Sequence, residues 1–174
     1  MIVIREARPE DARGIAAVHV SSWQEAYRGL LPADVLAGLS VTGREQVWTA
    51  ILSDPSARDP VLVAADGTTV LGFVSMGPDR GGAASEDTGE LYAFYVHPGC
   101  WREGIGGRLH SAAIQRLTAL RFVSAALWVL AGNDRALGFY RSAGWVPDGQ
   151  TKTDSGPGGI DLHELRLYRR LRAR

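Results

Sequence analysis

The chain opens on an apolar run rich in β-branched residues, MIVIREA (1–7), which predicts a short strand. Pro9, Glu10 and Asp11 follow in the order that suits a helix start, proline where no amide donor is needed and acids at the positive end of the helix dipole. Ile15, Val18, His19, Trp23 and Tyr27 then recur at helical spacing until Gly29 and Pro32 break the segment. A second helical stretch is expected from about Pro32. In it Thr42 and Glu45 form a T-x-x-E capping box ahead of Val47, Trp48, Ile51 and Leu52.

After Pro60 the pattern changes to that of strands. VLVAA (61–65), Asp66-Gly67 and TVLGFVSM (69–76) read as a hairpin, because Asp-Gly supplies the backbone that a tight hairpin turn requires. The polar, glycine-rich DRGGAASEDTG (79–89) reads as a surface loop, and ELYAFYV (90–96) as the next strand. Ile105, Leu109, Ala112, Ala113, Leu117 and Leu120 give one apolar helix face, and VSAALWVL (123–130) is the continuous run of a strand buried on both sides. A helix from about Asn133 to Ser142 follows, with Asn133 or Gly132 near its cap and Gly144 just past its end. IDLHELRLY (160–168) predicts a final strand whose apolar phase slips between Leu162 and Leu165, where a bulge is expected; one more strand fits near 145–150. The result is a single α/β domain, 1–174, with a mixed, mostly antiparallel sheet, flanking helices and one parallel β-α-β crossover across residues 90–130.

Composition narrows the function classes. The formal net charge is zero, which argues against a nucleic-acid partner, and Lys152 is the only lysine. Cys100 is the only cysteine, so no intrachain disulfide and no cysteine-based metal site is available, and it reads as an inert thiol. The first residues contain no long apolar stretch, so neither a signal peptide nor a membrane span is expected, and a reducing cytoplasm is the expected compartment.

The chemistry concentrates in HPGCWREGIGGRLH (97–110), where glycines open a helix that they weaken. The first amides of a helix have no partner within it, and a strand that feeds directly into the helix aims them at one point. Gly104, Gly106 and Gly107 let an oxyanion approach that backbone, while Arg102 and Arg108 add charge. Two other phosphate loops do not match: no Lys-Ser or Lys-Thr follows the glycines, and GIGGRL (104–109) lacks the last glycine of the dinucleotide fingerprint.

The run YVHPGCWREGIGGRLH (95–110), followed by LWVLAGNDRALGFYRSAGW (127–145), resembles the GNAT family of acetyl-CoA-dependent N-acetyltransferases. The family motif [QR]-x-x-G-x-[GA] follows a Val-x-Pro segment, here Val96-His97-Pro98. The second region brings Asn133, the pair Phe139-Tyr140 and the step Gly144-Trp145. Trp101 departs from the motif's Gln/Arg, and Arg102 stands where many members carry glycine.

The resemblance implies that acetyl-CoA is the acetyl donor. Its pyrophosphate would rest on the backbone of Arg102, Glu103, Gly104, Ile105, Gly106 and Gly107, helped by the Arg108 side chain. Its pantetheine arm would lie beside Phe94, Tyr95 and Val96, with Asn133 at the cofactor and Tyr140 at the sulfur. It also implies Tyr140 as the proton donor to the leaving thiolate and Glu90 as the base, with His97 and His19 as weaker base candidates and Trp23 and Tyr27 on the acceptor side. The acceptor is a small-molecule amine or a peptide, with neither nucleic acid nor membrane involved, and a homodimer through the C-terminal strands is compatible with the pattern. A non-catalytic acyl-CoA sensor is the rival reading; it would need neither Tyr140 nor Glu90.

Overall fold

The computed structural model describes residues 1–54, 56–57, 59–81 and 87–171. Seven strands form one sheet: β1 (Ile2–Glu6), β2 (Val61–Asp66), β3 (Thr69–Pro78), β4 (Thr88–Val96), β5 (Ser124–Leu130), β6 (Val146–Ser155) and β7 (Asp161–Arg170). Their spatial order is β1-β2-β3-β4-β5-β7-β6, and every neighbouring pair is antiparallel except β4 and β5. The helices are α1 (Ala12–Ala26), a short α2 (Ala33–Ala37), α3 (Val41–Ser53), α4 (Ile105–Ala119) and α5 (Asp134–Ser142). Residues 82–86 of the expected surface loop lie outside the described residues.

The sheet is the middle layer. Ile105, Leu109, Ala113 and Leu117, one i, i+4 stripe of α4, are buried against Val74, Met76, Leu91 and Leu127. On the other face Ile15 and Val18 of α1 and Trp48 of α3 close over Val63 and Phe73. Gly89 shows how tightly α4 sits: a β-carbon there would lie 2.8 Å from Leu117 Cδ2 and 3.0 Å from the Phe122 ring. Gly89→Ala is therefore expected to cost about 1–3 kcal/mol by overpacking, seen as a lower urea midpoint at unchanged slope.

Two local expectations are corrected. The cap of α3 is Ser40, whose hydroxyl accepts from the Gly43 amide at 3.0 Å, and Thr42 lies inside the helix. An N-terminal serine two residues earlier offers the same hydroxyl, and Val41 can then join the helix. The bulge expected in β7 lies instead in its partner: β7 pairs with β5 without a break, whereas β6 shifts register between Pro147 and Thr151. The apolar slip in β7 reflects a side chain that must face inward as a charge, Arg166, and the extra residues of β6 bring Asp148 to it at 2.7 Å. The strand near 145–150 is present and longer than expected. As the sheet edge it carries Pro147, a bulge and Lys152, features that discourage further strand pairing.

His110 on α4 is buried and accepts a hydrogen bond from the Trp145 indole at 2.9 Å. Burial holds its pKa down at about 4, and burial likewise lowers His19 to about 3. Both rings are neutral in the fold, while in the unfolded chain they take up a proton near pH 6.5. The stability they permit is complete above that value and is lost as the pH falls below it. Between pH 7 and pH 5 His110 alone should cost about 2 kcal/mol, and His110→Gln, which keeps an acceptor for Trp145, should lose that much less over the same interval in urea titrations.

Candidate active site

The parallel contact between β4 and β5 is short. Residues Thr88 to Leu91 pair with Ser124 to Leu127, and beyond them β4 continues on β3 alone while β5 continues on β7 alone. A bulge marks the parting: Ser75 faces Ala93 and Met76 faces Leu91, which leaves Tyr92 as the extra residue. A bulge bends its strand and increases its twist, which turns the end of β4 away from β5. The wedge between them is a cavity of about 670 Å³.

Among the described residues, the β4 side of the wedge offers unpaired backbone. The His97 amide donates to Leu71 on β3 at 2.8 Å, so by alternation Phe94 and Val96 point their backbone groups into the gap. The Val96 carbonyl is already occupied, by the Ser22 hydroxyl at 2.9 Å and the Trp101 indole N–H at 2.8 Å. The Val96 amide and both backbone groups of Phe94 remain.

At one end of the wedge β4 runs through a single turn into α4. Among the described residues, the amides of residues 102–107 have no hydrogen-bond partner; the first bonded amide is that of Arg108, to the Gly104 carbonyl at 3.1 Å. Arg102 and Gly104 both have left-handed backbone, φ 69° and 78°. Positive φ explains why glycine suits position 102, and it curls successive amides into a concave nest for an anion. A β-carbon at Gly104 or Gly107 would meet nothing within 4 Å, so that surface is open. Arg102, Gly104, Gly106 and Gly107 line the cavity. Ile105 contributes its amide only, since its side chain is in the core, and Glu103 is not on the cavity wall. Arg108 is placed otherwise than expected: its guanidinium donates to the Ile2 carbonyl at 2.9 Å, its amide is used within α4, and it is not on the cavity wall.

Tyr140 reaches the cavity from α5, whose cap is Asn133, accepting from the Ala136 amide at 3.2 Å. The Tyr140 ring is buried among Phe94, Phe139 and Trp145, with centroids 6.2, 5.4 and 5.9 Å away. Burial pushes its phenol well above the ordinary value, so it keeps its proton at any working pH. Tyr27 and Tyr95 line the same cavity, and burial raises both phenols in the same way. Trp23 is not on the wall; it packs edge-on behind Tyr27 at 4.9 Å.

Glu90 sits one residue before the wedge opens. Because Gly89 faces α4, Glu90 faces the opposite side of the sheet. Its carboxylate is buried, accepts from the Arg80 amide at 2.8 Å and lies beside the Asp79 carboxylate. Asp79 is in turn paired with the buried Arg166, which also holds Asp148. Burial, the largest influence, raises the Glu90 pKa above the ordinary carboxylate value, and the Arg80 contacts oppose it.

The histidines considered as bases have structural places. His19 Nδ1 accepts from the Trp48 indole at 3.4 Å inside the core, and His97 Nδ1 accepts from the Gly99 amide at 3.1 Å in the turn after β4. Cys100 lines the cavity, but burial and then Glu103 raise its pKa, which keeps the thiol protonated. Among the described residues no group of side chains could hold a metal ion, and no helix is long and apolar enough to cross a membrane.

Known proteins resemble this chain in sequence and fold. The chain is 33% identical over 168 residues to the uncharacterized N-acetyltransferase YuaI of Bacillus subtilis, covering 96% of this chain and 92% of that one. It is 30% identical to a probable N-acetyltransferase of Mycobacterium tuberculosis, covering 97% and 94% of the two chains. The crystal structure of the PaiA N-acetyltransferase of Thermoplasma acidophilum in complex with coenzyme A has the same fold, with a TM-score of 0.74 at 18% identity, covering 98% of this chain and 99% of that one. Residues 13–145 match the family described as Acetyltransferase (GNAT) family. With the split sheet, the amide nest before α4 and this match together, the chain belongs to the GNAT family, enzymes that take their acetyl group from acetyl-CoA.

Proposed function

We propose that the whole chain acts as one cytoplasmic GNAT domain that acetylates a primary amine by direct attack of the amine on the thioester, without an acyl-enzyme. The observation that carries this reading is one continuous opening with the free amides of residues 102–107 at one end and the Tyr140 phenol on its wall. The donor fits these residues: the nest suits a pyrophosphate, and the unpaired backbone of Phe94 and Val96 suits the amides of a pantetheine arm lying as an extra strand. Bound acetyl-CoA supplies the carbonyl carbon that the amine attacks.

The chain's own groups then move two protons. Glu90, which is not on the cavity wall, takes one from the ammonium through water; the ammonium has no lone pair until it is deprotonated. An unpaired amide of β4 faces the carbonyl oxygen as negative charge develops on it. The new N–C bond forms, the C–S bond breaks, Tyr140 gives its proton to the departing sulfur, whose thiol has a pKa of about 8.5 and so leaves more readily when protonated at neutral pH, and the second proton of the attacking nitrogen returns the phenolate to the phenol through water. The products are the N-acetyl amine and free CoA.

The charged groups that act on the acceptor-side tyrosines differ in sign. Glu164 on β7 acts on Tyr27 and Tyr95, Arg44 on α3 acts on Tyr95, and Lys152 lies 3.2 Å from Glu164. None of these three charged residues is on the cavity wall, so the acceptor is left as a primary amine of a small molecule or a peptide. Thiol release from acetyl-CoA across a panel of amines tests the reading. It should saturate with one or more primary amines of the panel and give intersecting double-reciprocal lines; parallel lines would mean an acyl-enzyme, and CoA binding without amine-dependent release would favour the sensor. Glu90→Gln should lower kcat/KM by about tenfold at pH 7, with the deficit closing as the pH approaches the pKa of the acceptor amine used, about 8 for an α-amino group and about 10 for an alkylamine.

A further inference from the structure

The position where the family motif has Gln or Arg holds Trp101, and this tryptophan is turned inward: its indole N–H is bonded to the Val96 carbonyl at 2.8 Å. The ring is thereby fixed to the end of β4 and has no donor left for a ligand. Across its face lies the Arg135 guanidinium from the first turn of α5, with Cζ 3.4 Å from the ring centroid. Trp101 and Arg135 both line the cavity. Arg135 is solvent-exposed, and among the described residues no carboxylate lies within ion-pair distance of it, although Asp134 adjoins it and Glu103 stands two residues after Trp101.

A guanidinium stacked on an aromatic ring uses its π face for the stack and keeps its N–H donors in the plane, directed outward. The stack also holds a long side chain that would otherwise sample many rotamers, so less entropy is lost when it meets an anion. Arg108, the other arginine of the glycine stretch besides Arg102, is committed to Ile2. The donor site therefore has a cation on a fixed platform that the motif itself does not contain.

We propose that Arg135, held over Trp101, binds the CoA pyrophosphate across the cavity from the α4 amides and takes the place of the motif's missing Gln/Arg side chain. This rests on the donor-site reading above. Binding of CoA, 3′-dephospho-CoA and pantetheine to the full-length protein, followed by calorimetry and competition, tests it without any acceptor. Arg135→Ala should weaken CoA and 3′-dephospho-CoA equally, by about tenfold, and leave pantetheine unchanged, with an unaltered melting temperature. Weakening of CoA alone would put the contact on the 3′-phosphate and overturn the assignment. Equal weakening of all three ligands would reveal a packing effect, and no weakening would remove Arg135 from the site; either result overturns the proposal. If wild-type protein bound none of the three, the donor-site reading itself would fall.

The platform is tested by coupling. In a Trp101→Leu background Arg135→Ala should cost less than twofold, because the guanidinium is already released. Should that variant fail to fold, Trp101→Phe keeps the ring, drops the N–H and should retain most of the Arg135 effect. A full Arg135 effect without the ring, or its loss with the phenyl ring in place, contradicts the stack as the positioning device.

Discussion

Tyr140→Phe is expected to lower kcat by about 10³-fold while leaving the KM for acetyl-CoA within about twofold. The substitution removes one oxygen and keeps the ring. Contacts with Phe94, Phe139 and Trp145 hold that ring, so the cavity wall and the α5 packing persist. The hydroxyl matters because of the leaving group: a thiolate expelled into a wall this apolar is poorly solvated, and a phenol there can share its proton as the C–S bond lengthens. Burial raises the Tyr140 pKa above the ordinary phenol value, so the phenol carries its proton at neutral pH. The split between kcat and KM distinguishes this role from packing, since a packing defect would disturb donor binding as well. Steady-state kinetics at saturating acetyl-CoA read the effect directly, and an unchanged kcat would take Tyr140 out of the chemistry.

The parts of this site that were legible in the sequence are those set by neighbours along the chain. The α4 stripe of Ile105, Leu109, Ala113 and Leu117 follows from helical period, and the unpartnered amides at the start of α4 follow from glycines placed where a strand feeds a helix. Asn133 as the α5 cap is likewise a local matter of one side chain and one amide. Leu120 marks the limit of the same reasoning: it fits the helical pattern, yet it lies at the end of α4 and is 43% exposed. Contacts that depend on how distant elements dock were not legible. Arg108 finds Ile2 because α4 lies against β1, Ser22 reaches Val96 because α1 crosses the end of β4, and Asp79 meets Arg166 across the width of the sheet. Composition at positions 108 or 166 carries no trace of those partners. The bulge in β6 is an instructive intermediate case. The irregularity was visible as an apolar slip, but pairing has two strands, and the pattern of one cannot say which of them absorbs the extra residues. The same holds for the wedge itself, since the bulge at Tyr92 lies in a run that reads as uninterrupted strand.

Gly107→Glu should separate the stability of the fold from its donor site by moving them in opposite directions. Gly107 is the third residue of α4, a position where a glutamate gains from the helix dipole and where any residue other than glycine or proline improves on glycine. The β-carbon would meet nothing within 4 Å, so no steric cost offsets those gains. The protein should become more stable by about 1 kcal/mol, measured by urea titration. The same carboxylate, however, stands beside amides that have no other partner, and it brings negative charge to the place where the pyrophosphate would bind. CoA affinity should therefore fall by about 10³-fold, since two charges repel in a site where amide donors and dipole are already committed to one of them. Gly107→Ala supplies the control: it gains most of the helix propensity without the charge and should bind CoA within about tenfold of wild type. If Gly107→Glu gains stability and still binds CoA as tightly as wild type, the amides of residues 102–107 are not the phosphate site, and the glycines that open α4 would need another explanation. If it gains stability and loses CoA, glycine stands at 107 for the ligand's sake, at the expense of the helix that carries it.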